Sequence, residues 1–77
     1  MTEEEIIDLG FNKETQEDYH YYTKDITNGL SFTTNANDET LNNDWYIEFF
    51  NTEIPIRYYN VEDVKELLKL IYKGKIE

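Results

Sequence analysis

Apolar residues alternate with polar ones through Trp45-Tyr46-Ile47-Glu48-Phe49-Phe50 and again through Ile54-Pro55-Ile56-Arg57-Tyr58-Tyr59. They then change to helical spacing at Val61, Val64, Leu67, Leu68 and Ile71. A period of two is the mark of a half-buried strand, and apolar positions three and four apart mark an amphipathic helix. The chain therefore predicts two neighbouring strands followed by a helix that covers them. If residues 51–54 form the connection, Phe49 faces Ile56 and Ile47 faces Tyr58 on one side of the pair. Glu48 faces Arg57 and Tyr46 faces Tyr59 on the other. The first side is core and the second a half-wet face. Pro55 cannot donate to a ladder, so the last strand is an edge.

The helix has clear ends. Asn60 is an N-cap, Asp63 follows three residues later, lysines occupy the second half, and Lys73-Gly74 closes it. Glu62 with Lys65 and Glu66 with Lys69 are i,i+3 pairs, each worth a few tenths of a kcal/mol at most (~0.2–0.5). The apolar stripe of this helix should lie on Trp45, Ile47 and Phe49.

Upstream, Tyr19 to Ile26 and Leu30 to Thr34 are rich in β-formers and flank Thr27-Asn28-Gly29, a hairpin signal. A three-residue loop with Gly29 left-handed aligns Ile26 with Leu30, Lys24 with Phe32 and Tyr22 with Thr34. The first residues read as a short helix. Thr2 and Glu5 have capping-box spacing, Ile6, Ile7 and Leu9 give a small apolar face, and Gly10 suits the C-terminal turn before Phe11 returns to the core. The polar, aperiodic stretch from Asn12 to Asp18 reads as loop. So does the Asn/Asp-rich stretch from Asn35 to Asp44. Its oxygens suggest calcium, but an EF-hand register from Asn35 would put Thr40 at the glycine position and Tyr46 at the bidentate acid, and Asx side chains also build turns on their own. The predicted architecture is α+β and a single domain over residues 1–77: a short N-terminal helix, a four-stranded antiparallel sheet made of two hairpins, and a C-terminal helix packed on one face.

Composition changes this picture in two ways. The 77 residues allow one core, with no cysteine for disulfides, thiolate metal sites or nucleophilic catalysis. Together with an acidic N-terminus unlike a signal peptide and no apolar run of membrane-spanning length, this predicts a cytoplasmic protein. The 17 acidic and 7 basic residues leave a net charge of −10. Residues 1–53 carry −11 of it, and residues 54–77 carry +1. Such a field repels nucleic acid and anionic membrane and attracts basic protein surfaces. Aromatic content of 16% argues against disorder.

Catalytic chemistry finds little support. His20 is the single histidine and Ser31 the single serine, the three glycines are isolated, and a chain of this size has little room for a cleft beside its core. His20 reads as a strand surface residue, and no metal or cofactor is expected. The seven tyrosines matter more, since neighbours such as Tyr21 and Tyr22, or Tyr58 and Tyr59, cannot share one face. The outward rings are either partly covered by the N-terminal helix or offered as an interface ringed by carboxylates.

The opening Thr2-Glu3-Glu4-Glu5-Ile6-Ile7 with Leu9-Gly10-Phe11, the Tyr21-Tyr22 strand, Asp44-Trp45-Tyr46 and the closing Asp63-Val64-Lys65-Glu66-Leu67 resemble small uncharacterised proteins of phages and mobile elements of Bacteroidetes-type bacteria. The resemblance implies a protein that acts by binding and blocking a host protein. The expected function is a non-catalytic acidic protein-binding module, an inhibitor or nucleic-acid mimic for a basic site. The contact residues would be Asp38, Glu39, Asp44, Tyr46, Glu48, Phe50 and Tyr59. A homo-oligomeric accessory protein using the aromatic face or the edge strand is the alternative.

Overall fold

The computed structural model describes residues 1–27, 29–50 and 53–74. Helix α1 spans Glu3–Asp8 and helix α2 spans Val61–Lys73. Between them run β1 (Asn12–Thr15), β2 (His20–Thr27), β3 (Leu30–Thr34), a 3-10 turn at Asn37–Glu39, β4 (Ile47–Phe50) and β5 (Arg57–Tyr58). The strands form one antiparallel sheet in chain order, with β1 and β5 at its edges.

The helix ends follow their sequence signals. The Thr2 hydroxyl accepts from the Glu5 amide and the Glu5 carboxylate accepts from the Thr2 amide, which closes the capping box. The bond from the Thr2 backbone foremost holds the Glu5 carboxyl below its ordinary range. Gly10 takes φ +87°, a left-handed conformation that turns the chain toward buried Phe11. Asn60 caps α2 through its Oδ1, which accepts from the Glu62 amide at 2.8 Å. Glu62 and Lys65 form the expected i,i+3 ion pair.

The core is one cluster of Ile6, Phe11, Tyr22, Phe32, Trp45, Ile47, Val64 and Leu68, with Phe49, Tyr58, Leu67 and Ile71 packed around it. Both helices contribute to this cluster, so both lie on the same side of the sheet. This corrects the expectation that α1 partly covers the second face: Ile6, on α1, is fully buried among the core residues instead.

Three further expectations change. The sheet has five strands, because Asn12–Thr15 pairs with β2 (Asn12↔Thr23 through Thr15↔His20) where a loop was expected. A four-residue polar strand at a sheet edge carries no hydrophobic period; its stability comes from the neighbour it pairs with. In the second hairpin Thr27 pairs with Leu30, so Ile26 does not. An irregularity between Asp25 and Thr27 then absorbs one residue and restores Lys24 to Phe32, the register expected farther along the strands. Asn28 lies outside the described residues. Finally, β4 and β5 pair only as Ile47↔Tyr58 and Glu48↔Arg57. Both pairs are as read from the sequence, but Ile56, between Pro55 and the start of β5, lies outside the strand, and the expected partnership of Phe49 with Ile56 is not made.

Candidate functional site

With both helices on one side, strand alternation assigns the opposite side of the sheet to a second set of residues. One row crosses the whole sheet through Asn12, Thr23, Thr33, Glu48 and Arg57. The paired residues Glu14 and Tyr21 flank it, and so do Asp25, Ser31 and Phe50. Tyr46 and Tyr59 extend the same alternation just beyond β4 and β5. Lys13 and Lys24 fall on the helix side, leaving Arg57 as the one basic residue of the open face among the described residues.

Arg57, half exposed, is held by its neighbours. Its Nε donates to Glu48 Oε2 at 3.3 Å, and its guanidinium carbon sits 4.6 Å from the centroid of the Tyr46 ring. Its pKa is raised by a hydrogen bond to Tyr59 foremost, then by Tyr46 and Glu48. Burial pushes the Tyr46 hydroxyl upward, with Arg57 acting in the opposite sense. The Tyr46 and Tyr59 rings lie 5.5 Å apart at 53°. The exposed Glu48–Arg57 pair contributes on the order of 0–1 kcal/mol. Its larger consequence is that it cancels the face's one described cation.

The Asn-rich connection builds the rim of this face through its own turns. Asn42 and Asn43 adopt φ of 55° and 58°, left-handed geometry that Asn tolerates, and the Asp44 amide closes the turn onto the Leu41 carbonyl. Buried Asn35 fixes the connection to the sheet. Its Oδ1 accepts from the Tyr46 amide at 3.0 Å and its Nδ2 donates to Thr40 Oγ1 at 2.8 Å. The result is a cleft of about 170 Å³ lined by Asn35, Glu39, Leu41, Asp44, Tyr46 and Tyr59. Asp44 Oδ1 stands 3.7 Å from the Met1 nitrogen, while Glu39 has no ion-pair partner among the described residues.

Four of the seven candidate contact residues, Glu39, Asp44, Tyr46 and Tyr59, thus line one cleft. Glu48 adjoins it through Arg57. Asp38 is exposed in the 3-10 turn but does not line the cleft. Phe50 is 43% exposed beside Ser31, at the far end of β4.

A second cluster went unread in the sequence. Glu3 Oε2 accepts from the Tyr22 hydroxyl at 2.7 Å and lies 2.6 Å from His20 Nε2. His20 stacks on Trp45 with centroids 5.9 Å apart, and Trp45 Nε1 donates to Asn43 Oδ1. The hydrogen bond from Tyr22 foremost, aided by His20 against the opposing effect of burial, holds the Glu3 carboxyl below the usual carboxylate range. Burial and then Glu3 push the Tyr22 hydroxyl up to about 12. His20 is therefore a half-buried partner of Glu3, on the helix side of the sheet. The available signal was the i,i+2 spacing of His20 and Tyr22, which places both on one face. Every member of this cluster has a partner within the chain, and together they latch α1 to the sheet.

Among the described residues, no group of three or more His, Cys, Asp or Glu side chains is placed to hold a metal ion. No helix among them is long and apolar enough to cross a membrane. Comparison with protein-family models, curated proteins and solved structures finds no match to this chain.

Proposed function

We propose that this chain is a non-catalytic, cytoplasmic binding module that lays its open acidic sheet face against a basic surface of another protein. In doing so it acts as an inhibitor occupying a groove made for nucleic acid, the mode of action implied by the likeness to small phage and mobile-element proteins. The observation that carries the proposal is the uncovered face itself. Glu14, Asp25 and Glu48 stand on it, Glu39 and Asp44 rim it, tyrosine rings lie between them, and its one described basic side chain, Arg57, is internally paired. Carboxylates around aromatic bodies give long-range attraction to a basic partner and contact area at short range.

Poly-L-lysine serves as a defined basic probe, with binding followed by calorimetry across ionic strengths. Affinity should fall steeply as salt rises. Reversing Asp38, Glu39, Asp44 and Glu48 to lysine should abolish it, whereas reversing Glu4, Asp8, Asp63 and Glu66 on the helix side should leave most of it. Equal losses from the two quadruple variants would reduce the attraction to net charge and remove the sheet face as the docking surface.

A further inference from the structure

The open face also carries a specific arrangement for one kind of side chain. On Tyr46 the chain's own Arg57 rests its guanidinium 4.6 Å from the ring centroid while Glu48 takes its Nε–H, so ring and carboxylate share one planar cation. The adjacent cleft assembles the same two kinds of group around about 170 Å³ of open space. Tyr59, 51% exposed, supplies the ring, Glu39 supplies a carboxylate with no ion-pair partner among the described residues, Asp44, 62% exposed and only loosely paired at 3.7 Å with the Met1 ammonium, supplies a second, and Leu41 supplies an apolar wall for an aliphatic stem. The cleft is small and open to solvent, and one long side chain can enter it without any movement of the backbone.

We propose that this cleft receives an arginine side chain of the basic partner, stacked on Tyr59 and bonded to Glu39 and Asp44; this rests on the docking of the open face proposed above. Arginine fits better than lysine for a geometric reason. A planar guanidinium can stack on a ring and still present forked N–H donors to two carboxylates, whereas an ammonium is a strongly hydrated point charge that gains less from either. Asn35, held by Thr40 and the Tyr46 amide, fixes the floor, so the site is preorganised.

The test titrates the ¹⁵N-labelled 77-residue chain with two synthetic peptides of equal length, an arginine–glycine repeat and a lysine–glycine repeat. Amide signals of Glu39, Leu41, Asp44, Tyr46 and Tyr59 should move, and the arginine peptide should bind about threefold to fivefold tighter. Glu39→Gln with Asp44→Asn should weaken the arginine peptide about tenfold. Tyr59→Leu should erase the preference for arginine while leaving the salt-dependent attraction. Thermal melts confirm that each variant is folded, and Glu39→Gln alone keeps the test open if the double variant is not. Equal affinity for the two peptides, or shifts confined to Glu14 and Asp25, would overturn the arginine cleft while leaving the acidic face standing. Failure of both peptides to bind the unaltered chain at low salt would overturn both.

Discussion

Tyr22→Phe removes one oxygen atom from the centre of the structure, and its effect should be largest near neutral pH and shrink toward both acid and alkali. Tyr22 is 2% exposed, and its hydroxyl donates to Glu3 Oε2 at 2.7 Å. A hydrogen bond to a charged acceptor contributes about 1.5–3 kcal/mol. Glu3 is about one-third exposed and keeps His20 after the substitution, so solvent and the remaining partner recover part of that. A loss of about 1–2 kcal/mol at neutral pH follows. In acid, the Glu3 carboxyl, held below its ordinary range, contributes stability that is present above its unfolded pKa and lost as pH falls through the lower folded value. The gap between the parent and Tyr22→Phe should therefore narrow there. In alkali the gap narrows again, from the other partner of the bond. The Tyr22 hydroxyl is raised from 10.0 to about 12, so the unfolded parent ionises first and the parent loses stability between those values. The loss can reach about 1.4 kcal/mol per pH unit in that window, and Tyr22→Phe is spared it. Urea unfolding of both proteins at acidic, neutral and alkaline pH measures the difference directly. A gap that is constant across pH, or below about 0.5 kcal/mol at neutrality, would refute the reasoning that the latch is charge-assisted.

Two further outcomes test the fold. Ile47→Ala, at a fully buried centre of β4, should cost about 3 kcal/mol and lower the melting temperature by roughly 15 °C in a chain of this length, measured by calorimetry. Thr2→Ala should cost about 1 kcal/mol by opening the capping box, with Thr2→Ser retaining nearly all of it, as read from denaturant midpoints.

The elements legible in the sequence are those whose information is local. Asn60, the helical spacing through Ile71 and the closing Gly74 define α2 without reference to anything else in the chain. The pairs Ile47↔Tyr58 and Glu48↔Arg57 followed from alternation together with a connection placed at residues 51–54, because a one-residue slip would have reversed every inward residue of β4. What escaped was information held by neighbours. Asn12-Lys13-Glu14-Thr15 is a strand because β2 offers a free edge, not because its residues prefer one. Ile26 leaves the expected register through an irregularity that no single residue type demands. His20 gave no sign of Glu3, since the two are 17 residues apart and meet only when α1 packs on the sheet. Within the candidate surface, alternation put Tyr46, Glu48, Phe50 and Tyr59 on one side. Only the fold could show that the turn at Asn42 and Asn43 brings Glu39 and Asp44 to Tyr59 and leaves Asp38 and Phe50 apart.

The placement of both helices on one side links stability to the proposed binding face. Both helices pack on one sheet face and share a single core cluster of eight buried residues that includes Phe32, Ile47 and Val64. The other face must then be stable in water, which is why it is built from threonine, glutamate, serine and tyrosine with an internally paired Arg57. Such a face needs no covering element to fold, and therefore remains accessible to a partner. The same economy explains the division within Trp45 to Phe50. Trp45, Ile47 and Phe49 hold the helices, and releasing any of them would cost the fold. The side chains of Tyr46 and Glu48 engage Arg57 and Tyr59 on the open face, so substitutions there can test the proposed binding while leaving the core intact.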